Sequence, residues 1–426
     1  MKIKNKLFTG ALTISIGAFL AKLLGALYRI PLTNIIGTEA IGLYQMVFPL
    51  YCILLTISST GIPNSLAKII SEKGNAKGVL ITALRVFVPL GVIGTLVMLA
   101  FGYPLAFLQG NIRAGLGYLT LAPSVFLTSI ISCFRGYFQG KLNMTPTSIS
   151  QVIEQLVKLL VGLAFGFAFK NSPTLSAGLC ALAVTVSELV TVGYLYYLFR
   201  KKSVSEYNTP VDKRQIVKIV VPVTLSSMLI PLSRVADSFM ILNILKKYLS
   251  NATSIYGIYT GGVESVIGVP VAICYGFAVA GIPLISSLKV DSPLLAKKKS
   301  TQVFFYTAFL GVVFTILVFL FSELIVKVLY FNLSLESKNL MANLIRVASV
   351  SILALALLQT TSAILVSFGR LYTPCITLSI GVAVKIVISL ILLPKPSVNI
   401  YATAISDIVC YALALLLNSY FIFKPV

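Results

Sequence analysis

Ten charged side chains lie inside long apolar stretches of this sequence, where a charge needs either a partner or water. A charged side chain at the centre of a hydrocarbon layer costs at least about 2.5 kcal/mol, so such residues mark ion pairs, binding cavities or ion pathways. The basic ones are Lys22, Arg29, Lys158, Arg234 and Lys385. The acidic ones are Glu154, Glu188, Asp237, Glu264 and Asp407. Their spacing decides which charges can be neutralised locally and which can bind a ligand.

Lys22 and Arg29 are seven residues apart, which is about two helical turns, so they share one face of a helix. No acidic residue lies in the same apolar stretch, 7–33. Lys22 is roughly 22 Å along that helix, too deep to reach the near surface easily. This pattern predicts a cationic cavity for an anion such as phosphate or pyrophosphate. The alternative is that an acid on another helix, such as Asp237 or Glu264, neutralises the pair.

Gln151, Glu154, Gln155 and Lys158 form one polar stripe on a helix, with Glu154 four residues before Lys158. That order favours an i, i+4 ion pair, so the stripe is more typical of contact between helices than of a binding site.

Arg234 and Asp237 are three residues apart and can either neutralise each other or leave Arg234 in the cavity. Glu188 and Asp407 are predicted to pair with Lys158 and Lys385 respectively. Glu154, Lys158, Asp237, Glu264 and Lys385 are also kept as candidates for the cavity or for coupling to an ion.

Enzyme signatures are missing from the sequence. It contains no histidine, so Ser-His and Cys-His catalysis and histidine-based metal sites are excluded. The segment from Gly136 to Lys141 differs from a P-loop in glycine spacing and in the residue after the lysine. The six cysteines form no CxxC motif. We therefore expect a protein that is not an enzyme and has no cofactor and no metal.

Composition places the chain in a membrane. Of its 426 residues, 58% are hydrophobic and only 11% are charged, whereas soluble domains are about a quarter charged. Mean hydropathy is +0.97. Apolar runs long enough to span a bilayer recur throughout. The predicted spans are 7–33, 40–62, 79–108, 115–135, 145–169, 175–199, 215–245, 256–288, 303–329, 341–368, 372–394 and 399–423.

The sequence also repeats itself once, with five short matches in the same order. They pair Ile30-Pro31-Leu32-Thr33 with Ile230-Pro231-Leu232-Ser233, Gly61-Ile62-Pro63 with Gly281-Ile282-Pro283, Gly140-Lys141-Leu142 with Gly369-Arg370-Leu371, Lys158 with Lys385, and Ser187-Glu188-Leu189-Val190 with Ser406-Asp407-Ile408-Val409. Such duplication is common in secondary transporters. We predict an all-α polytopic membrane protein of twelve helices in two pseudo-twofold-related bundles, residues 1–200 and 215–426, joined by a basic cytoplasmic linker, 201–214.

The net charge of +22 is explained by the distribution of basic residues across the membrane and does not indicate nucleic-acid binding. With the N-terminus inside, basic residues concentrate in the inner segments, including Arg135 and Lys297 to Lys299, as the positive-inside rule requires. Both termini are thus predicted in the cytoplasm. The basic inner segments are expected to attract anionic membrane lipids. Gly42, Pro49, Pro231 and Pro270 lie within spans and are predicted bending points.

Several motifs resemble the stage V sporulation protein B and polysaccharide-biosynthesis flippase group. They are Lys22-Leu23-Leu24-Gly25, Tyr28-Arg29-Ile30-Pro31-Leu32, Gly42-Leu43-Tyr44-Gln45, Gly61-Ile62-Pro63, Phe134-Arg135-Gly136-Tyr137-Phe138-Gln139-Gly140, Met144-Thr145-Pro146-Thr147 and Ser150-Gln151-Val152-Ile153-Glu154-Gln155. The group lies in the multidrug/oligosaccharidyl-lipid/polysaccharide (MOP) exporter superfamily, which includes the MATE exporters, near the MurJ-type lipid II flippases. The likeness covers nearly the whole chain.

The resemblance implies a V-shaped pair of six-helix bundles and alternating access. It implies a lipid-linked oligosaccharide substrate, carried on undecaprenyl pyrophosphate, and proteins of cell-envelope synthesis as partners in cell-wall, capsule or sporulation pathways. Lys22 stands where MurJ-type flippases have a cavity arginine, whereas Leu55 and Gly262 stand at other cavity-arginine positions. The alternative function is a cation-coupled multidrug exporter of the same fold, which would use the acidic residues Asp237 and Glu264.

Overall fold

In a computed structural model, the protein is built from α-helices, and the residues that the structure describes, 2–57, 61–202, 212–214, 216–217, 220, 228–370 and 372–423, contain no strand. Within those residues, ten helices are long and apolar enough to cross a membrane. The all-helical membrane fold is therefore confirmed, whereas the count of twelve spans is not.

The helices run in the following order. They are α1 Lys2–Thr56, α2 Ile62–Lys73, α3 Ala76–Gln109, α4 Gly115–Gly140, α5 Thr145–Ala168, α6 Pro173–Lys202, α7 Leu229–Leu245, α8 Ala252–Gly257, α9 Glu264–Asp291, α10 Pro293–Leu320, α11 Ser322–Leu329, α12 Leu335–Ala348, α13 Val350–Ser367, α14 Thr373–Leu392 and α15 Tyr401–Phe423. A 3₁₀ turn, Ile112–Ala114, precedes α4, and a π-helix, Ile258–Val263, connects α8 to α9.

The predicted span 7–33 and most of the span 40–62 fall within α1, which ends at Thr56. The helix is interrupted at Gly37, whose backbone angles are φ 79° and ψ 176°. Glycine adopts this region because it has no Cβ to clash with the neighbouring peptide. Another predicted span, 215–245, lies partly outside the described residues, and its described part contains α7.

The chain divides into two compact units. Unit 1 comprises Met1–Gly25 and Leu43–Phe239, and unit 2 comprises Ala26–Gly42 and Met240–Val426. In unit 1, α4 packs against α2, α3 and α6, and α5 packs against α6. In unit 2, α9 packs against α10 and α13, and α15 packs against α13 and α14. The predicted bundles 1–200 and 215–426 stay a prediction, and most of the linker 201–214 lies outside the described residues.

Within unit 2, an asparagine pair binds the central part of α1 to the end of α11 and the residues that follow it. The Asn34 side-chain amide donates to the Leu329 carbonyl oxygen at 2.6 Å. In return, the Asn332 side-chain amide donates to the Asn34 carbonyl oxygen at 2.8 Å. Both side chains thus satisfy backbone groups that end or interrupt helices, where intrahelical partners are lacking.

Two glycines bring α1 and α8 into backbone contact within unit 2. A Cβ added at Gly42 would overlap the Thr253 carbonyl oxygen, and one added at Gly257 would overlap the Thr38 carbonyl oxygen. The two segments share a pattern of Thr, Gly and Tyr, with Thr38 four residues before Gly42 and Thr253 four residues before Gly257. The contact is reciprocal, as a twofold relation between equivalent segments requires. It is a sixth repeat match, and the sequence analysis did not find it.

Gly257→Ala should destabilise the protein, because the added methyl group meets a backbone carbonyl that cannot rotate away. We expect the free energy of unfolding to fall by about 1–3 kcal/mol, the usual cost of overpacking. Thermal unfolding of the purified protein in detergent measures the change.

Gly268→Ala is the matched control, since it lies in α9 with nothing within 4 Å of the added Cβ. Alanine is about 1 kcal/mol better than glycine in a helix, so this variant should not lose stability. Equal melting of Gly257→Ala and the wild type would contradict the backbone contact.

Candidate functional site

A buried cluster of polar and charged side chains joins α1, α4, α5 and α6 in unit 1. We call it the unit 1 cluster, and its members are Tyr51, Arg135, Ser150, Glu154, Gln155, Lys158 and Glu188. Ser150, Glu154 and Lys158 recur every four residues on α5, so the helix presents them along one face. That spacing lets a single helix supply both signs of charge to its neighbours.

Arg135 and Glu154 form the central ion pair of this cluster. The Arg135 Nη2 atom lies 2.8 Å from Glu154 Oε2, and the two side chains are only 1% and 3% exposed. Arg135 Nε also donates to Ser150 Oγ at 3.0 Å, and the Tyr51 hydroxyl donates to Glu154 Oε1 at 3.2 Å. Both charges are therefore hydrogen-bonded beyond the pair itself, which a buried ion pair needs in order to persist.

We predicted Arg135 among the basic residues of the inner segments; that location stays a prediction, and the structure adds that the side chain is buried. The predicted span ended at residue 135, but α4 continues to Gly140, so Arg135 lies within a packed helix. The carboxylate of Glu154 accordingly has its ion-pair partner on α4, although spacing favoured Lys158 one turn along α5. The Lys158 ammonium donates to Gln155 Oε1.

Unit 2 contains the counterpart of this cluster. Lys385 Nζ on α14 lies 2.7 Å from Asp407 Oδ1 on α15, with side chains 3% and 6% exposed. The Tyr259 hydroxyl, in the π-helix, donates to Asp407 Oδ2 at 2.8 Å. The predicted pairing of Lys385 with Asp407 is confirmed. Lys385 therefore lies in a compact ion pair within unit 2.

Glu188 behaves differently from its repeat equivalent, Asp407. It is fully buried in α6, and among the described residues its carboxyl has no ion-pair partner and only a weak hydrogen-bonding contact, with Ser124. Arg135, Glu154 and Lys158 act on it electrostatically. The predicted pairing with Lys158 is thus reduced to a longer-range interaction.

The predicted cationic residues lie on α1 and α7. The Lys22 side chain is outside the described residues. Arg29 is half-buried and interacts electrostatically with the buried Tyr330. Arg234 is half-buried on α7, one turn before the buried Asp237, and Glu264 is half-buried at the first residue of α9. Their role in substrate binding stays a prediction.

The predicted bending points are all buried, and none of them is where the backbone departs from α-helix. Pro49 lies inside α1, Pro231 near the start of α7 and Pro270 inside α9, and Gly42 is in the contact with Thr253. The backbone irregularities are at Gly37 and at the π-helix Ile258–Val263. Irregular turns of this kind often mark functional positions. Bending at the predicted residues stays a prediction.

Comparison with known proteins identifies the family. Residues 7–289, more than half of the chain, match the family described as "Polysaccharide biosynthesis protein". The chain belongs to this family. Stage V sporulation protein B of Bacillus subtilis (strain 168) is 25% identical to this chain. The alignment covers 98% of this chain and 83% of the relative.

Lipid II flippase MurJ of the same organism is also 25% identical, over 95% of this chain and 81% of the relative. Among solved structures, an inward-facing MATE family transporter of the MOP superfamily superposes with a TM-score of 0.81, 13% sequence identity and 97% coverage of both chains. The family member is therefore a multi-pass membrane protein with the fold of the MOP superfamily, and the findings support a membrane transporter.

Arg135→Ala should be strongly destabilising, because it leaves the Glu154 carboxylate buried without its ion-pair partner. We expect a loss of about 3–5 kcal/mol in the free energy of unfolding. The double variant Arg135→Met, Glu154→Leu removes both charges and should recover most of that loss. Denaturation of the purified protein in detergent measures all three proteins.

Arg346→Ala is the control, since Arg346 and Glu323 also lie 2.8 Å apart but are 39% and 76% exposed. An exposed pair contributes about 0–1 kcal/mol, so this variant should resemble the wild type. Equal losses from Arg135→Ala and Arg346→Ala would contradict the burial of the unit 1 pair.

Proposed function

We propose that this protein is a secondary flippase. It would move an undecaprenyl-pyrophosphate-linked peptidoglycan or polysaccharide precursor, similar to lipid II, across the bacterial cytoplasmic membrane by alternating access. The observation that carries the proposal is the similarity to a lipid II flippase along 95% of the chain, together with membership of the polysaccharide biosynthesis family. The internal repeat supports it, since many secondary transporters are built this way.

The physical task of such a flippase is to give a charged headgroup a polar route through hydrocarbon. Lys22, Arg29 and Arg234 are proposed to attract the pyrophosphate, because hydrogen bonds between a basic side chain and phosphate are roughly twice as strong as neutral ones. Glu154 and Lys385 already lie in buried ion pairs at 2.8 and 2.7 Å. These two residues would therefore hold each unit together, and substrate binding would fall to the three cations.

The alternative, a cation-coupled multidrug exporter, would require acidic residues to bind cationic drugs. Asp237 and Glu264 are the available candidates for that role. They lie on α7 and α9, the first of them three residues from a basic side chain. A basic neighbour weakens the attraction of a carboxylate for a cationic drug. The charge pattern on α1 and α7 thus favours an anionic substrate.

Expression of the wild-type chain should restore growth to a bacterium depleted of its own lipid II flippase. Lys22→Ala combined with Arg29→Ala should abolish the rescue at equal membrane levels. Loss of two charge-assisted contacts, each worth about 1.5–3 kcal/mol, corresponds to at least about a hundredfold slower translocation. Growth curves and flipping assays in vesicles measure the effect.

Lys246→Ala combined with Lys247→Ala is the matched control, because both lysines are exposed in the turn after α7. This variant should rescue like the wild type. Rescue by the Lys22, Arg29 variant would overturn the cationic site while keeping the flippase. Absence of rescue by a well-expressed wild type would overturn lipid II as substrate, and drug-resistance assays would then test export.

The proposed orientation places both termini and Lys297 to Lys299 in the cytoplasm, with the 246–250 turn outside. In a variant lacking the six native cysteines, Ser250→Cys should react with a membrane-impermeant maleimide added to intact cells. Lys298→Cys should react only after the cells are permeabilised. Both positions are exposed in the structure, so access differs by side of the membrane alone. The opposite labelling pattern would invert the topology.

A further inference from the structure

The two repeats place the same residue types at equivalent positions but connect them differently. Lys158 corresponds to Lys385, and Glu188 corresponds to Asp407. In unit 2 the lysine and the acid are 2.7 Å apart, and a tyrosine hydroxyl binds the second carboxyl oxygen. In unit 1 the additional residue Arg135 binds Glu154, and Lys158 donates to Gln155. Among the described residues, the Glu188 carboxyl consequently has no ion-pair partner and only a weak hydrogen-bonding contact, with Ser124.

Both protonation states of Glu188 are imperfectly satisfied. As a carboxylate it balances the charges of the unit 1 cluster at two positive and two negative, but it is fully buried and has only a weak hydrogen-bonding contact, with Ser124. As a neutral acid it needs fewer donors, but it leaves the cluster with one net positive charge. A carboxyl whose two protonation states are both incompletely satisfied can accept and release a proton during a conformational cycle.

The groups that face Glu188 come from three helices. They are Tyr51 on α1, Ser124 and Arg135 on α4, and Glu154 and Lys158 on α5. The 3₁₀ turn also packs on α6, but Arg113 of that turn donates to Thr174, about 21 Å along the helix from Glu188. Two basic side chains beside the carboxyl disfavour any added cation, and the described residues contain no group of three or more acidic or other metal-binding side chains that could surround a metal ion. A proton, which needs no ligand shell, is the ion that fits.

The unit 1 cluster reaches α1 at two places, one on each side of Gly37. A Cβ added at Gly25 would lie 3.3 Å from Gln155 Oε1, and the Tyr51 hydroxyl donates to Glu154. Gly25 lies between Lys22 and Arg29 in the sequence. A change of charge at Glu188 alters the field at Lys158 and Glu154, and so acts on the α1 segment that carries the predicted substrate cations.

We propose that Glu188 is a proton-binding site through which a proton gradient drives the conformational cycle. The coupling to a cycle rests on the proposed transport function, whereas the binding of a proton does not. The step is a single protonation, in which one proton from water binds the carboxylate to give the neutral acid and is later released. Arg135 and Lys158 stay charged and position the carboxyl.

Infrared difference spectroscopy of the purified full chain in lipid nanodiscs tests the proton site without any substrate. Titration with pH should reveal the carbonyl stretch of a buried, protonated carboxyl group. Glu188→Gln should lose this band, Glu188→Asp should keep it at a shifted frequency, and Glu323→Gln, at a side chain that is 76% exposed, should leave it unchanged. A band that persists in Glu188→Gln, or a wild type with no titrating buried carboxyl, would overturn the proposal.

Transport then tests coupling. Flipping of an undecaprenyl-pyrophosphate lipid in vesicles should accelerate under an imposed proton gradient for the wild type, and a protonophore should remove that acceleration. Glu188→Gln should flip at one rate with or without the gradient. If the wild type flips no lipid while the Glu188 band still titrates, the proposed function fails and the proton site stands. Gradient-sensitive flipping by Glu188→Gln overturns the coupling role.

Discussion

Hydrocarbon offers no water to a buried charge, and the packing of this protein follows from that constraint. Arg135 and Glu154 connect α4 to α5, and Lys385 and Asp407 connect α14 to α15, each pair less than 3 Å apart and almost fully buried. Removing one member of such a pair costs more than removing both. The pairs therefore determine which helix faces can meet inside each unit.

Duplication supplied both halves of the chain with similar polar positions, and divergence then gave them different connections. In unit 2 the repeat-related lysine and acid form one compact pair with Tyr259. In unit 1 an additional residue, Arg135, forms the ion pair with Glu154, and Glu188 is not part of that pair. The reciprocal contact of Gly42 and Gly257 preserves the twofold relation in the backbone itself. One repeat thus has a compact ion pair where the other has a buried carboxyl near two basic side chains.

The charged residues of this protein are best sorted by whether an ion pair within one unit already neutralises them. Acids and bases that are paired within a unit stabilise it, as Arg135 with Glu154 and Lys385 with Asp407 do. Helix α1 contributes residues to each unit and is interrupted at Gly37, where a positive φ requires glycine. Its Tyr51 belongs to the unit 1 cluster, and its Asn34 binds Asn332 within unit 2.

The sequence by itself determined the membrane-spanning all-helical fold, the family and the pairing of Lys385 with Asp407, because hydropathy, motif spacing and repeats are properties of the linear chain. It did not determine that Arg135 is buried, that α1 is interrupted at Gly37, or that Gly42 meets Thr253. Spacing along one helix defines which residues share a face, but not which neighbouring face they meet. Glu154 is only four residues from Lys158, yet the ion-pair partner of Glu154 is Arg135, nineteen residues away in sequence and 2.8 Å away in space. Only tertiary packing decides between such partners, because an ion pair depends on distance in space.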